Sequence, residues 1–305
     1  MVRKDEFKIN DLCVYCEVDS IMPDRAEFGF LKDSSGKMKK IKTIKLRGQI
    51  SQGICFSTNI LPLPFVLDDT EFNEDDDVTE YLGVIKYEAP VPVEMRGKIR
   101  SNFPSYIPRT DEERVQNLEK ELKTWESEKL ICTEKIDGTS CTMFIHDDEF
   151  HVCSRNLDLL EDEINLYWKT ARTFQIEEKL RSNHIIEVAL QGEIAGPGIN
   201  GNRLKLDTMH FYTFNMFDII HQRYLSWPTY QIFLKGLELE QVPQLSESIQ
   251  DKSMQDIIAL ADGPSLINRS CPREGIVFKS YGVKLNELYG KISFKIVSNK
   301  YLLKE

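Results

Sequence analysis

Thr133-Glu134-Lys135-Ile136-Asp137-Gly138-Thr139-Ser140 places a lysine between acids at the end of an apolar strand, directly before a glycine turn. The stretch 130–156 reads outward from it as a strand, that turn and a hairpin across Asp147-Asp148-Glu149, closed by Ser154-Arg155-Asn156. Three later segments repeat the pattern of charge inside apolar β structure. Gln191-Gly192-Glu193-Ile194-Ala195-Gly196 carries a carboxylate. Arg273-Glu274-Gly275-Ile276-Val277-Phe278-Lys279 carries an acid and a lysine. Ser293-Phe294-Lys295-Ile296-Val297 carries a lysine. Charges in apolar strands are costly unless paired, metal-bound or functional. One such strand is an ordinary barrel edge; several in one domain need a common ligand. Cations suit phosphates, and Asp137, Glu193 and Glu274 suit a hard cation through oxygen ligands or its waters. A nucleoside triphosphate with Mg²⁺ (or Mn²⁺) satisfies both. A lysine nucleophile must be neutral when it attacks, so neighbouring cations and burial are expected to lower the pKa of Lys135.

Around this centre, Thr110-Asp111-Glu112-Glu113 has the form of a capping box, with a helix expected from Asp111 to Trp125. A second helix is expected from Asp158 to Leu180, with Leu160, Ile164, Tyr167, Trp168 and Ala171 at helical spacing, and a third from Ile249 to Ala261. Strands are expected at 185–195, 210–220, 274–280 and 291–298. Gly196-Pro197-Gly198-Ile199-Asn200-Gly201 spells G-x-G-x-x-G, but no helix is expected after it, so it reads as a loop rather than a dinucleotide fingerprint. Residues 7–60 read as β: Leu12 to Val18, Ile41 to Gly48 with lysines alternating against aliphatics, and Gly53 to Phe56. A small barrel is the natural arrangement. The acidic stretch Asp68 to Glu80, followed by Pro90-Val91-Pro92, marks a boundary, with the linker near 85–98.

The chain has 305 residues, enough for about two domains. No apolar run approaches the ~18 residues of a membrane helix, and Met1 to Glu6 lacks the apolar core of a signal peptide. The cytosol or nucleus is the expected location, without a membrane partner. Seven cysteines, an odd number, suit reduced thiols; Cys13-Val14-Tyr15-Cys16 has no second pair and reads as strand residues on different faces. The five histidines show no metal spacing, and His146 and His151 read as hairpin surface. Net charge is −10, odd for a protein held on nucleic acid by charge alone. A local basic strip does exist: Lys32, Lys37, Lys39, Lys40, Lys42, Lys45 and Arg47, opposed only by Asp33. It is either a solvated strand face or a phosphate-contacting one.

Lys135-x-Asp137-Gly138 resembles motif I of the covalent nucleotidyltransferases, the polynucleotide ligases and mRNA capping enzymes. Alone it is weak. Followed in order by Ser154-Arg155-Asn156, Gln191-Gly192-Glu193, Phe217-Asp218, Glu274 to Lys279 and Ser293-Phe294-Lys295, it is specific, and it covers roughly residues 105–305. The strings Glu193 to Leu204 and Ser293 to Leu303 are similar to the Deinococcus-type RNA ligases (RNA ligase family 5), a group also found in Naegleria. That group places its OB-fold before the catalytic domain, and Lys45 to Gly53 resembles its OB-domain.

The resemblance implies an α+β protein. An N-terminal OB-fold-like β-barrel for nucleic-acid binding (1–90) would precede an adenylyltransferase or ligase domain (91–305) of ATP-grasp-like antiparallel sheets plus helices. It implies an ATP-dependent RNA ligase that joins 5′-phosphate to 3′-OH ends through lysyl-AMP and adenylylated RNA. The partner would be RNA or an RNA-containing nicked duplex, and the protein a monomer. Lys135 resembles the nucleophile; Asp137, Glu193 and Glu274 the carboxylates around Mg²⁺ or Mn²⁺; Lys295 and Lys279 the α-phosphate contacts. Arg155 resembles the arginine near the ribose and nick phosphate, Phe217 (or Phe214) the adenine-stacking aromatic, and Arg114 a γ-phosphate contact. Glu134 and Glu193 fall with the cofactor-binding residues. Motif V of the ligases often holds two lysines two residues apart; here Ser293 and Val297 stand at that spacing from Lys295, leaving Lys291 or Lys300 as a partner. Ser140 stands where a related viral group has asparagine near the nick phosphate. The alternatives are a capping-type guanylyltransferase, whose OB-fold usually comes last, and a nucleic-acid-binding module with a decayed ligase domain.

Overall fold

The computed structural model describes residues 6–46, 49–61, 72–87, 97–284 and 287–303. The chain divides into two compact units, Met1–Val91 and Pro92–Glu305. No helix among the described residues is long and apolar enough to cross a membrane.

In the first unit, β1 (Cys13–Glu17) pairs antiparallel with β5 (Gly53–Ser57), β2 (Ser20–Ile21) with β6 (Ile85–Lys86), and β3 (Ile44–Leu46) with β4 (Gln49–Ser51). The short helix α1 (Thr79–Leu82) stops at Gly83, which takes the left-handed conformation. Val14, Cys16 and Val18 alternate inward onto Met22, Phe28, Ile41, Ile60 and Leu82, while Tyr15 points out. The strand expected over Ile41 to Gly48 is shorter than its pattern suggested. Ile41 is buried, but it belongs to a loop whose amide donates to Ser20 O at 2.9 Å. Ile44 opens a separate hairpin and is 46% exposed. Arg47, Gly48, the first acids of the 68–80 stretch and Pro90-Val91-Pro92 lie outside the described residues.

The second unit is built on two sheets. Its strands are β7 (Ile99–Asn102), β8 (Glu113–Arg114), β9 (Leu130–Lys135), β10 (Thr139–His146), β11 (Glu149–Cys153), β12 (Leu157–Leu159), β13 (Val188–Ala195), β14 (His210–Asp218), β15 (Arg223–Tyr224), β16 (Gln244–Leu245), β17 (Gly275–Ser280) and β18 (Ser293–Val297). One sheet has the order β15-β14-β13-β10-β11-β12-β7, the other β16-β9-β17-β18-β8. The helices are α2 (Glu119–Trp125), α3 (Leu166–Thr173), α4 (Ile176–Ser182), α5 (Trp227–Leu237), α6 (Met254–Ala259) and α7 (Asn299–Leu303). Trp168, Ala171, Ile176, Leu180, Tyr230 and Leu234 of α3 to α5 cover one face of the larger sheet, on Cys141, Met143, Leu190, Ile194 and Phe211. Leu122 of α2 and Ile257 of α6 cover one face of the smaller sheet, on Cys132, Ile276, Phe278, Phe294 and Ile296. The opposite faces are left to look at each other.

Several elements differ from expectation for tertiary reasons. No helix begins at Asp111. Glu113 and Arg114 instead pair in parallel with Phe294 and Lys295, and α2 starts only at Glu119. Thr110 does not cap; its Oγ1 shares a 2.5 Å hydrogen bond with Ser140 Oγ. The expected helix from Asp158 to Leu180 divides into β12, α3 and α4. Asp158 and Leu159 pair back onto the sheet, Asn165 caps α3 by accepting from Tyr167 N at 2.9 Å, and Gln175 breaks the run at φ 54°. The helix expected from Ile249 is confined to α6, started by a capping box of Ser253 and Asp256. Helix α5 is an addition. Ser226 caps it and Pro228 sits in its first turn, a start signal legible in Ser226-Trp227-Pro228.

Candidate active site

Strand alternation puts every second residue of the smaller sheet on its open face, and register partners share a face. Lys135 lies opposite Gly275, which lies opposite Val297. The next row joins Thr133, Val277, Lys295 and Arg114. The row after that joins Ile131, Lys279 and Ser293. Lys135, Lys279, Lys295 and Arg114, distant in sequence, therefore project from one surface. On the facing sheet Glu193 lies opposite Ser140 on one side and Tyr212 on the other.

The turn after β9 presses hard on that sheet. A Cβ on Gly138 would stand 2.3 Å from Ile194 O and 2.7 Å from Glu193 Cγ, so only glycine lets Asp137 and Glu193 share one site. Lys135 Nζ donates to Glu274 Oε2 at 2.8 Å. Burial acts to lower the pKa of Lys135, but Glu274, Glu193 and Asp137 override it and hold the ammonium above its ordinary value. This corrects the lowered pKa expected from sequence: carboxylates, not cations, surround this amine. Burial, reinforced by Glu274 and Asp137 against the pull of Lys135, pushes Glu193 up to about 8.

The trio fits a hard divalent cation. Three carboxylates surround the ammonium of Lys135, and Asp137 Oδ2 is buried, with Arg203 Nε at 3.9 Å and the Tyr301 hydroxyl bonded to the same carboxylate. Oxygen donors of this kind suit Mg²⁺ or Mn²⁺. Elsewhere among the described residues His146, Asp147 and Glu187 bring ligand atoms within 4.8 Å of one another. There, however, His146 Nδ1 is already hydrogen-bonded to Glu187 Oε2 at 2.6 Å.

The other expected site residues are placed as follows. Arg155 hydrogen-bonds Asp111 Oδ1 at 2.6 Å and is half-exposed, within electrostatic reach of Glu193. Lys279 is buried and donates to Phe214 O at 2.8 Å and Asn215 Oδ1 at 3.2 Å. Burial and the neighbouring Lys291 pull its pKa down to about 7. Lys291, left open as a partner for Lys295, instead pairs with Glu112 at 2.9 Å and lies 4.0 Å from the Tyr224 ring centroid. Lys300 pairs with Asp262 at 3.3 Å.

Two expected placements are corrected. Glu134 alternates to the other side of β9, where Oε2 accepts from Leu266 N at 2.7 Å and burial raises its pKa. Phe217 is fully buried in a cluster with Phe144, Ala189 and Tyr224, and its ring meets Tyr224 and Tyr289 edge-on. It offers no open ring face to a base. Phe214 does stand at the cleft, because a register shift between Gln191 and Gly192 leaves it bulged from the β13–β14 ladder, 5.7 Å from Lys279 Nζ. Residues not anticipated are Asn215, whose Nδ2 is buried without a partner, and Asn200 and Arg203, which approach Asp137. The signal for Asn200 and Arg203 was the Gly-rich string that carries them.

A lysine set among carboxylates between two largely antiparallel sheets, with further cations in register beside it, defines the covalent nucleotidyltransferase class. Comparison with known proteins narrows the class. The RNA ligase family model matches residues 128–297, and an OB-fold domain model matches residues 1–58. Structures of Naegleria gruberi RNA ligase match the whole chain. An apo variant is 36% identical over 99% of this chain and 88% of that one, with a TM-score of 0.85. A variant with ATP and Mn is 36% identical over 100% and 90%, also with a TM-score of 0.85. The enzyme with PPi is 37% identical over 99% and 88%, with a TM-score of 0.83. No curated protein matches the chain by sequence. The chain belongs to the RNA ligase family.

Proposed function

We propose that this protein is an ATP-dependent ligase that joins a 5′-phosphate to a 3′-OH in RNA, at nicks in duplexes, through lysyl-AMP and adenylylated RNA. The observation that carries the reading is Lys135 Nζ, 2.8 Å from Glu274, within a carboxylate trio and on the same face as Lys295 and Arg114. The Naegleria relatives solved with ATP or AMP and Mn support the nucleotide and the metal.

In the first step Lys135 Nζ bonds to the α-phosphorus of ATP and pyrophosphate leaves. Glu274 Oε2 is positioned to take the amine's proton. Asp137, Glu193 and Glu274 would hold a Mg²⁺ or Mn²⁺, which would neutralise phosphate charge and favour the neutral amine. Lys295 stands one row from Lys135, about 7 Å along the strands at ~3.3 Å per residue, the better placed cation for the α-phosphate. Lys279 is one row further, about 13 Å, and engaged by Asn215, so it stands with Phe214 toward the base. Arg114, beside Lys295, suits the outer phosphates. AMP then passes to the RNA 5′-phosphate, which Arg155 and Ser140 border, and the 3′-OH displaces AMP. Each step is an in-line displacement at a crowded anion, so positioning and charge neutralisation supply most of the catalysis.

Incubation with labelled ATP and Mn²⁺ tests the assignment. Lys135→Ala should form no protein–AMP adduct, and neither should Lys135→Arg, since arginine stays protonated. Adduct on the alanine variant would move the nucleophile elsewhere.

A further inference from the structure

The Gly-rich loop after Glu193 is folded as a unit. Ile199 and Leu204 are buried, Asn202 closes on Leu206 in both directions (Nδ2 to O at 2.8 Å, N to Oδ1 at 3.0 Å), and Asn268 Nδ2 donates to Leu204 O at 3.0 Å. This frame holds Asn200 at φ 45°, a conformation asparagine tolerates. From there Asn200 Nδ2 donates to Asp137 Oδ1 at 3.2 Å and to Gly138 O at 2.6 Å. Both partners are acceptors only, so the amide nitrogen must face them. Arg203, from the same loop, brings Nε to 3.9 Å from Asp137 Oδ2, with its guanidinium 4.2 Å from the Tyr301 ring centroid. Asp137 Oδ2 itself is buried, and the Tyr301 hydroxyl hydrogen-bonds the same carboxylate.

We infer that Asn200 is a positioning residue for Asp137: it binds one carboxylate oxygen to the glycine turn and thereby presents the other to the catalytic cation. The inference rests on the metal role proposed for Asp137. It gives the Gly196–Leu206 loop a task. The loop's left-handed positions are there to deliver one amide to the turn after Lys135. Hydrogen-bonding partners of metal-binding carboxylates orient them and tune metal affinity.

Two variants test it. Asn200→Gly removes the amide but keeps the left-handed backbone open. Asn200→Asp keeps size and conformational tolerance but, ionised, has no proton to donate and faces two acceptors. Free Mn²⁺ is read by electron paramagnetic resonance while it is titrated into the full chain with a non-hydrolysable ATP analogue. The Mn²⁺ half-saturation of both variants should rise roughly tenfold or more. Lysine adenylylation should show the same shift in Mn²⁺ requirement and recover at saturating metal. The melting temperature of Asn200→Gly should stay near that of the unsubstituted chain, which a merely structural role would not allow. Mn²⁺ half-saturation within twofold of the unsubstituted chain for either variant overturns the inference. Failure of the unsubstituted chain to form a protein–AMP adduct would instead overturn the ligase reading, which the Mn²⁺ titration reports separately.

Discussion

Lys279 shows how a single buried charge couples the cleft to pH. Its ammonium is enclosed, shares its surroundings with Lys291, and has a pKa pulled from 10.5 to about 7. Between those values the unfolded chain holds a proton that the folded chain has released, so stability rises with pH through that window and the penalty is complete below it. Lys279→Met removes the penalty but strands Phe214 O and Asn215 Oδ1, which lose their donor at every pH. The melting-temperature change on substitution should therefore be more favourable at pH 6 than at pH 9, by several degrees. Equal changes at both values would mean that the lysine is charged, or neutral, at both. At this scale the sequence was legible where chemistry is rare. Lys135, Asp137, Glu193 and Glu274 stand out because charge in an apolar strand needs a reason. It was opaque where many residues of one type compete. Phe211, Phe214 and Phe217 share one strand, and only the bulge at Gln191 and Gly192 decides which ring reaches the cleft.

Strand register is the element-scale device that assembles the site. Gly275 sits between Lys135 and Val297, and a Cβ there would stand 2.2 Å from Ile296 O. Alanine at 275 must push β17 and β18 apart and carry Glu274 away from Lys135. Gly275→Ala should lower stability by about 1–3 kcal/mol, the usual range of overpacking, and suppress adenylylation at all Mn²⁺ concentrations. Gly282→Ala, where an added Cβ would meet nothing within 4 Å, is the control and should change neither. Normal adenylylation by Gly275→Ala would show that the ladder can shift without moving the carboxylate. The same register explains which elements were readable. Strands β9, β13, β14, β17 and β18 carry their own apolar alternation, whereas Glu113 and Arg114 become a strand only because β18 offers an edge. Helical spacing around Trp168 was real, but tertiary pairing took Asp158 and Leu159 from the helix start.

The whole molecule carries a net charge of −10, so long-range attraction to RNA must come from local fields rather than from the total. The lysine strip of the first unit is such a field, but its members are not equivalent. Lys40 is tied to Asp19 at 2.7 Å and lies 4.5 Å from the Tyr87 ring centroid. Lys32 is tied to Asp24 at 2.6 Å. Lys39 and Lys42 are exposed on the surface. Replacing Lys40 with Gln should lower stability by up to about 1 kcal/mol, as for a partly exposed ion pair. Replacing Lys39 and Lys42 with Gln should leave the melting temperature unchanged. If those two side chains neutralise phosphates, nicked-duplex affinity falls in the double variant and the slope of log K against log[salt] flattens by roughly one to two units. In the proposed mechanism lysine adenylylation needs no RNA, and the residues proposed for it lie in the second unit, so its rate should not move in the same variant. That combination, binding and salt slope altered while adduct formation is constant, separates an RNA-contacting surface from a general electrostatic effect on ATP. An unchanged salt slope would assign Lys39 and Lys42 to solvated surface and leave RNA affinity to the cations of the cleft.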